Sequence, residues 1–130
     1  MNVKHVNPAT VAAPVGNYSH GVEVREGRLL FVSGQIPETV AGEVPHGFEA
    51  QCEQVWRNIV AVLGANDMTP RHLVKVTTFL THPDQASING EIRRRHLGDH
   101  APALTVIVAQ TLDSRWLLEI EAVAFAPGEA

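Results

Sequence analysis

Residues Trp116–Phe125 read as one β-strand that is apolar on both faces. Strand side chains alternate with period two. Trp116, Leu118, Ile120, Ala122 and Ala124 therefore point one way, and Leu117, Val123 and Phe125 the other. A strand of this kind needs cover on both sides. The chain has 130 residues, which fits a single domain, 1–130, and is too short for two ordinary ones. Only two segments carry helical periodicity, enough to cover one face of a sheet. The uncovered face predicts association with copies of the same chain, and a closed ring is favoured over open-ended assembly.

The remaining elements follow from local pattern. Residues 1–21 carry Pro8 and Pro14 and few periodic apolar positions, and read as an extended lead-in. Gly21–Val24 starts a strand, Glu26-Gly27 supplies a turn, and Leu29–Ser33 is a second β-rich run ending at Gly34, so the pair reads as a hairpin. Residues 37–47 read as a loop with room for a short strand near Thr39–Ala41. Phe48, Cys52, Val55, Trp56, Ile59, Val60 and Leu63 form one apolar stripe of a helix that stops at Gly64. Thr69-Pro70 resembles a cap and first-turn proline, and Leu73–Leu80 is a strand rich in Val, Thr and Phe. Asp84 caps a second helix from Gln85 to about His96, with Ala86, Ile88 and Ile92 inward. Gly98 and Pro102 close it, and Ala103–Ala109 is a strand. The order β-β-helix-β-helix-β-β predicts an α+β domain, a two-layer fold with a sheet covered on one face by two helices.

Charge and composition narrow the partners. A formal charge of −4 and a lone basic cluster, Arg93-Arg94-Arg95, speak against nucleic acid. No apolar run approaches the roughly 18 residues of a membrane span, and the N-terminus lacks the layout of a secretory signal. Cys52 is the one cysteine, which fits a reducing, cytoplasmic setting. The expected partners are a small molecule and the chain itself, with no nucleic acid, membrane, cofactor or metal.

Several residues could carry chemistry. Glu119 and Glu121 share the face of Leu117, Val123 and Phe125. Carboxylates in an apolar setting are costly unless paired, hydrogen-bonded or functional. Either they sit at an edge or pair with a neighbour's cation, or one orients or deprotonates a water. Tyr18 precedes the first strand, where a half-buried anchor is the plain reading. Ser33-Gly34 ends a strand at a glycine, which lets backbone approach a ligand. Among seven histidines, His96 and His100 have i, i+4 spacing, but Gly98 interrupts them and no acidic or sulfur ligand is near in sequence. Cys52 lies in a helix stripe and reads as an inert core thiol.

Several segments together resemble the YjgF/RidA family of reactive-intermediate deaminases, also called endoribonuclease L-PSP-like proteins. They are Asn17-Tyr18-Ser19-His20-Gly21, Phe31-Val32-Ser33-Gly34-Gln35-Ile36-Pro37, Val74–Thr81, Asn89, Pro102-Ala103 and Leu118–Ala124. They span about Val15 to Phe125 in the family's order. The resemblance implies a chorismate-mutase-like fold with one mixed sheet, a homotrimer, and ligand clefts between subunits. It implies hydrolysis of reactive enamines or imines, such as 2-aminoacrylate, to ketoacids and ammonia. In that picture a residue matching Tyr18 lines the pocket together with those matching Ser33 and Asn89. One matching Gly34 offers backbone contact, and one matching Glu119 positions the attacking water.

The same picture places a carboxylate-clamping arginine where this chain has Leu104, and a frequent pocket cysteine where it has Val106. His20 stands where glutamine is common. Leucine cannot donate to a carboxylate, so the chain resembles a branch without the clamp. Arg115, four residues before Glu119, and Arg93–Arg95 of a neighbouring subunit are candidate replacement cations. Three readings follow: an imine or enamine deaminase with a substrate other than 2-aminoacrylate, a non-catalytic ligand-binding or regulatory trimer, and, least favoured by the acidic charge, a ribonuclease.

Overall fold

The computed structural model describes residues 2–128. Its elements are β1 (Val3–Val6), β2 (Gly21–Val24), β3 (Gly27–Gln35), α1 (Phe48–Gly64), β4 (Leu73–Leu80), α2 (Ala86–Leu97), β5 (Ala103–Val108) and β6 (Leu118–Pro127). The last strand, apolar on both sides, is an interior strand of the main sheet, whose order is β3-β6-β4-β5. It runs antiparallel to β3 on one edge and to β4 on the other. β5 completes the mixed sheet parallel to β4, an arrangement that needs a long crossover, usually a helix, and α2 is that connection.

Both helices lie on one face. Trp56, Ile59 and Leu63 of α1 and Ile92 and Leu97 of α2 meet Leu73, Val76, Leu80, Leu118 and Ile120 of the sheet, and all ten are buried. Each such burial contributes about 1.5–3 kcal/mol. The alanines at 122, 124 and 126 on β6 join this layer and keep the strand's inner surface low beneath the helices. The opposite face carries Leu29, Phe31, Val123, Phe79 and Ile107, aligned across the strands. There Phe31 is 72 % exposed. The uncovered apolar face expected from the last strand is present.

Two bulges flank β6. On β4, Leu73 pairs Ala124 and Lys75 pairs Val123, leaving Val74 extra, so Leu73 and Val76 both face the helices at a spacing of three. On β3, Val32 pairs Ala122 but Gln35 pairs Ile120, leaving one extra residue at Ser33-Gly34. A bulge kinks its strand and re-aims side chains.

Several local expectations change. β2 and β3 do not form a hairpin: the turn at Glu26 (φ 54°) sends β3 into the main sheet, and β2 pairs with β1 instead. The lead-in thus contains a strand, and Thr39–Ala41 does not. The cap of α2 is Gln85 rather than Asp84, after a single 3-10 turn at Pro83–Gln85. Its inward face is Asn89, Gly90, Ile92, Arg93 and Leu97, while Ala86 and Ile88 are exposed. Val60 lies at the margin of the α1 stripe and is exposed. α2 ends as expected at Gly98, whose φ of 59° favours a glycine.

The β1–β2 pair is tied to the main sheet through the segment before β2. Ser19 bridges Ala103 of β5, and its buried Oγ donates to the Ala101 carbonyl at 2.6 Å. His5 Nδ1 lies 2.8 Å from the same hydroxyl and donates to it. His100 stands edge-on to His5 and donates from Nε2 to the Leu73 carbonyl at 2.6 Å. Burial lowers the pKa of His100 from 6.5, aided by His5 and Arg71 against the opposing pull of the Leu73 carbonyl. The unfolded chain therefore takes up this proton first as pH falls, so stability is present above about 6.5 and is lost below it. Chemical denaturation across pH 4.5–8 should show that loss, and His100→Gln should flatten it. An unchanged slope in the variant would refute the assignment.

Candidate functional site

The bulge on β3 brings a glycine under a carboxylate of β6. Glu119 of β6 pairs laterally with Phe79 of β4, on the open face of the sheet. Its carboxylate lies directly over Gly34. A Cβ at position 34 would stand 2.9 Å from Glu119 Cδ and 3.2 Å from Cγ. Gly34 does not have a positive φ, so glycine is required here for space, not for backbone freedom. Among the described residues the carboxylate has no ion-pair partner and takes no hydrogen bond. A half-exposed carboxylate without a partner remains available to bind or orient water. Ser33, the other bulge residue, faces a hollow of about 280 Å³ shared with Phe31, Lys75, Thr77, Glu121 and Val123.

Tyr18, Leu104 and Val106 belong to another side. The Ser19–Ala103 bridge and the Ser19 N–H donation to Pro102 O at 3.0 Å set Tyr18 beside the start of β5. Tyr18 is half-buried and meets His20 edge-on, while His20 donates from Nε2 to Ala12 O at 2.6 Å and so holds the 9–14 loop. Leu104 pairs Val76 and Val106 pairs Thr78, so both lie on the helix-facing side of the sheet, opposite Glu119. Leu104 packs against the core, and Val106 is exposed at the free edge.

The other candidates lie apart from both groups. Asn89 is 1 % exposed between the helices, its Oδ1 3.9 Å from Cys52 Sγ. Burial, with Glu53 adding to it, pushes the Cys52 thiol up to about 12, against the weaker pull of Arg93 and Arg95, which disfavours the thiolate. Arg93 is buried in the same seam with Nε unpartnered among the described residues, and desolvation, reinforced by Arg94, lowers its pKa. Arg95 and His96 both reach Glu53, and His96 stacks on Trp56 with ring centroids 5.2 Å apart. Arg115 is already engaged. Its guanidinium meets Asp113 at 2.7 Å, which holds that carboxylate at about 2, and its carbonyl accepts from Gln51. Among the described residues no group of three or more His, Cys, Asp or Glu side chains is placed to hold a metal ion.

The chain thus brings Ser33, Gly34 and Glu119 together on one side of the sheet, and Tyr18 and Leu104 together at the start of β5. Asn89 sits in the interior and Arg115 in the loop before β6. Sequence reasoning overlooked Lys75. Its signal was position: it alternates with Thr77 and Phe79 on the face of Glu119 and Glu121.

Comparison with known proteins bears on this geometry. The sequence profile of the Endoribonuclease L-PSP family matches residues 9–126. Protein DfrA of Myxococcus xanthus is 37% identical over 131 residues, covering 95% of this chain and 96% of its own. The solved structure of YyfB, a Rid family protein of unknown function from Yersinia pestis, superposes with a TM-score of 0.85 at 32% identity, over 97% of this chain and all of that one. TdcF of E. coli, solved with bound serine, superposes at 0.71 with 27% identity, over 95% and 98%. No helix among the described residues is long and apolar enough to cross a membrane.

Gly34→Ala tests the seat of the carboxylate. An alanine methyl there must displace Glu119, while the fold is kept, since alanine in place of glycine shifts stability by only about 1 kcal/mol where the backbone permits it. A crystal structure of the variant should show Glu119 moved by an ångström or more. Finding it unmoved would refute the contact.

Proposed function

The chain belongs to the Endoribonuclease L-PSP family, also known as YjgF/RidA/RutC, and from that premise we propose that it is an imine or enamine hydrolase of the deaminase type. Its substrate on this reading is a small reactive intermediate without an α-carboxylate. The observation that carries the reading is Glu119, a carboxylate without a partner among the described residues, seated on the Gly34 backbone of an open face. Such a group can take a proton from water as the water oxygen bonds to an electrophilic iminium carbon. The resulting carbinolamine then expels ammonia, with proton return to nitrogen, and leaves a carbonyl product. An iminium carbon needs little activation, so orientation supplies much of the catalysis.

The substrate class follows from Leu104 and Val106. Both are apolar where the resemblance places a carboxylate clamp and a cysteine, and Arg115 is neutralised by Asp113. The two groups of residues on opposite sides of one sheet support a site built from two copies, with Gly34 and Glu119 from one and the β5 edge with Tyr18 from the next. A closed trimer supplies such contacts in equal number and covers the exposed Phe31 face. The apolar Leu104 also supports a second reading, a ligand-binding or regulatory trimer that uses the same cleft without turnover.

Ammonia release from imines generated in situ distinguishes them. Imines made by an amine oxidase, without carboxylate, should be hydrolysed faster than those made by an amino-acid oxidase. A missing charged contact is typically worth about 2–5 kcal/mol, or roughly 30- to several-thousand-fold. Glu119→Gln should remove turnover and leave the melting temperature within a few degrees. Absent turnover of every imine, with ligand-induced stabilisation retained, would favour the binding reading. Efficient turnover of 2-aminoacrylate would overturn the substrate class.

A further inference from the structure

Two positive charges of α2, Arg93 and Arg94, converge on one spot. Helical side chains lean toward the N-terminus of their helix, and both arginines reach back one turn to Gly90. A Cβ at that glycine would stand 3.2 Å from Arg94 Nη1 and 3.8 Å from Arg93 Nη2. The two guanidinium groups thus share the space that the missing side chain leaves. Arg94 is exposed, whereas Arg93 is only 9 % exposed and its buried Nε has no hydrogen-bond partner among the described residues. Among the same residues neither arginine enters an ion pair. The third member of the run differs: Arg95 meets Glu53 on α1, which His96 also approaches.

A guanidinium keeps its proton inside proteins, so Arg93 cannot escape burial by becoming neutral. Buried charges are tolerated where an opposite charge meets them. On α2 the residues three and four positions from Arg93 are Asn89, Gly90, His96 and Leu97, none of them acidic. Glu91 stands one turn before Arg94 alone. Across the seam, Glu53 is engaged by Arg95 and His96, and Glu49, one turn earlier on α1, is exposed. Desolvation and the neighbouring Arg94 both oppose the charge on Arg93. An anion seated between the two guanidiniums would offset both.

We propose that Arg93 and Arg94, converging over Gly90, form a binding site for a phosphoryl group, either free phosphate or the phosphate of a small molecule. Guanidinium forks hold oxyanions through paired, charge-assisted hydrogen bonds. Charge selects among oxyanions. A carboxylate compensates one arginine and leaves the other bare, whereas a phosphoryl group carries about two negative charges near neutral pH. The site lies on the helix side of the sheet, opposite Glu119. It is therefore separate from the candidate reactive carboxylate and stands whether or not the chain hydrolyses imines.

Titration calorimetry and thermal melts at constant ionic strength test the site, with inorganic phosphate, glycerol 3-phosphate, acetate and chloride as probes. A ligand that binds only the folded chain raises its melting temperature. Phosphate should do so saturably, at one site per chain, and beyond any effect of acetate or chloride. Tighter binding of glycerol 3-phosphate would assign the site to phosphorylated small molecules, and equal or weaker binding to free phosphate. Arg94→Ala, at an exposed position, should keep the fold and weaken phosphate binding at least tenfold. Arg93→Met should abolish binding and raise the melting temperature in phosphate-free buffer, because it removes a buried charge that no partner meets. If that variant does not fold, Arg94→Ala and Arg94→Glu decide the matter. Stabilisation by chloride or acetate equal to that by phosphate, or phosphate binding unchanged in the Arg94 variants, would overturn the site. So would binding that appears only in Glu49→Gln, since the chain's own carboxylate would then be the occupant.

Discussion

The interior position of β6 governs everything else in this molecule. Both of its edges are spent on hydrogen bonds to β3 and β4, and it cannot be displaced without breaking two ladders at once. Its inner face, narrowed by three alanines, lets α1 and α2 close over the sheet. Its outer face presents Glu119, Glu121 and Val123 to the uncovered side, with Phe125 buried at its end. The rigidity that a candidate catalytic carboxylate needs is therefore a by-product of where its strand lies, because positioning is most exact on elements fixed by the core.

The bulge at Ser33-Gly34 gives that rigid strand a candidate site. A regular ladder would set a side chain beside Glu119, and the carboxylate would be crowded or bonded. The extra residue instead brings bare backbone under it. Bulges next to functional groups serve this re-aiming role, and glycine marks the point where another group must come close. The apolar pair Leu104 and Val106 sits across the sheet, where it can shape a neighbour's cleft but cannot neutralise a substrate anion. Glu119 and the Leu104–Val106 pair are thus on opposite sides of the sheet within each chain.

How much of this was legible depended on whether the cause was local. The α1 stripe was readable because Cys52, Val55, Trp56, Ile59 and Leu63 repeat at the period of the helix they form. The two faces of β6 were readable for the same reason at period two. The β2–β3 turn was visible, but its partners were not: a turn at Glu26-Gly27 looks alike whether the strands pair with each other or with β1 and β6. The bulges were hidden because one extra residue shifts the alternation without altering composition. α2 misled because its buried face is built from Asn89 and Arg93 as well as Ile92, and its apolar Ile88 points out. Glu119 was recognisable as unusual, yet its seat on Gly34 is a contact 85 residues apart in sequence, which no local pattern encodes.

The division of candidate residues between the two sides of the sheet has a genetic consequence. If each cleft draws Glu119 from one copy and the Leu104 edge from its neighbour, a chain damaged on one side still lends an intact other side. Two alleles, each null alone, one altered at Glu119 and one at the β5 edge, would then complement in mixed rings, because some clefts receive both intact halves. Two alleles damaged on the same side would never do so. A compact fold of this kind would in this way show allele-specific complementation.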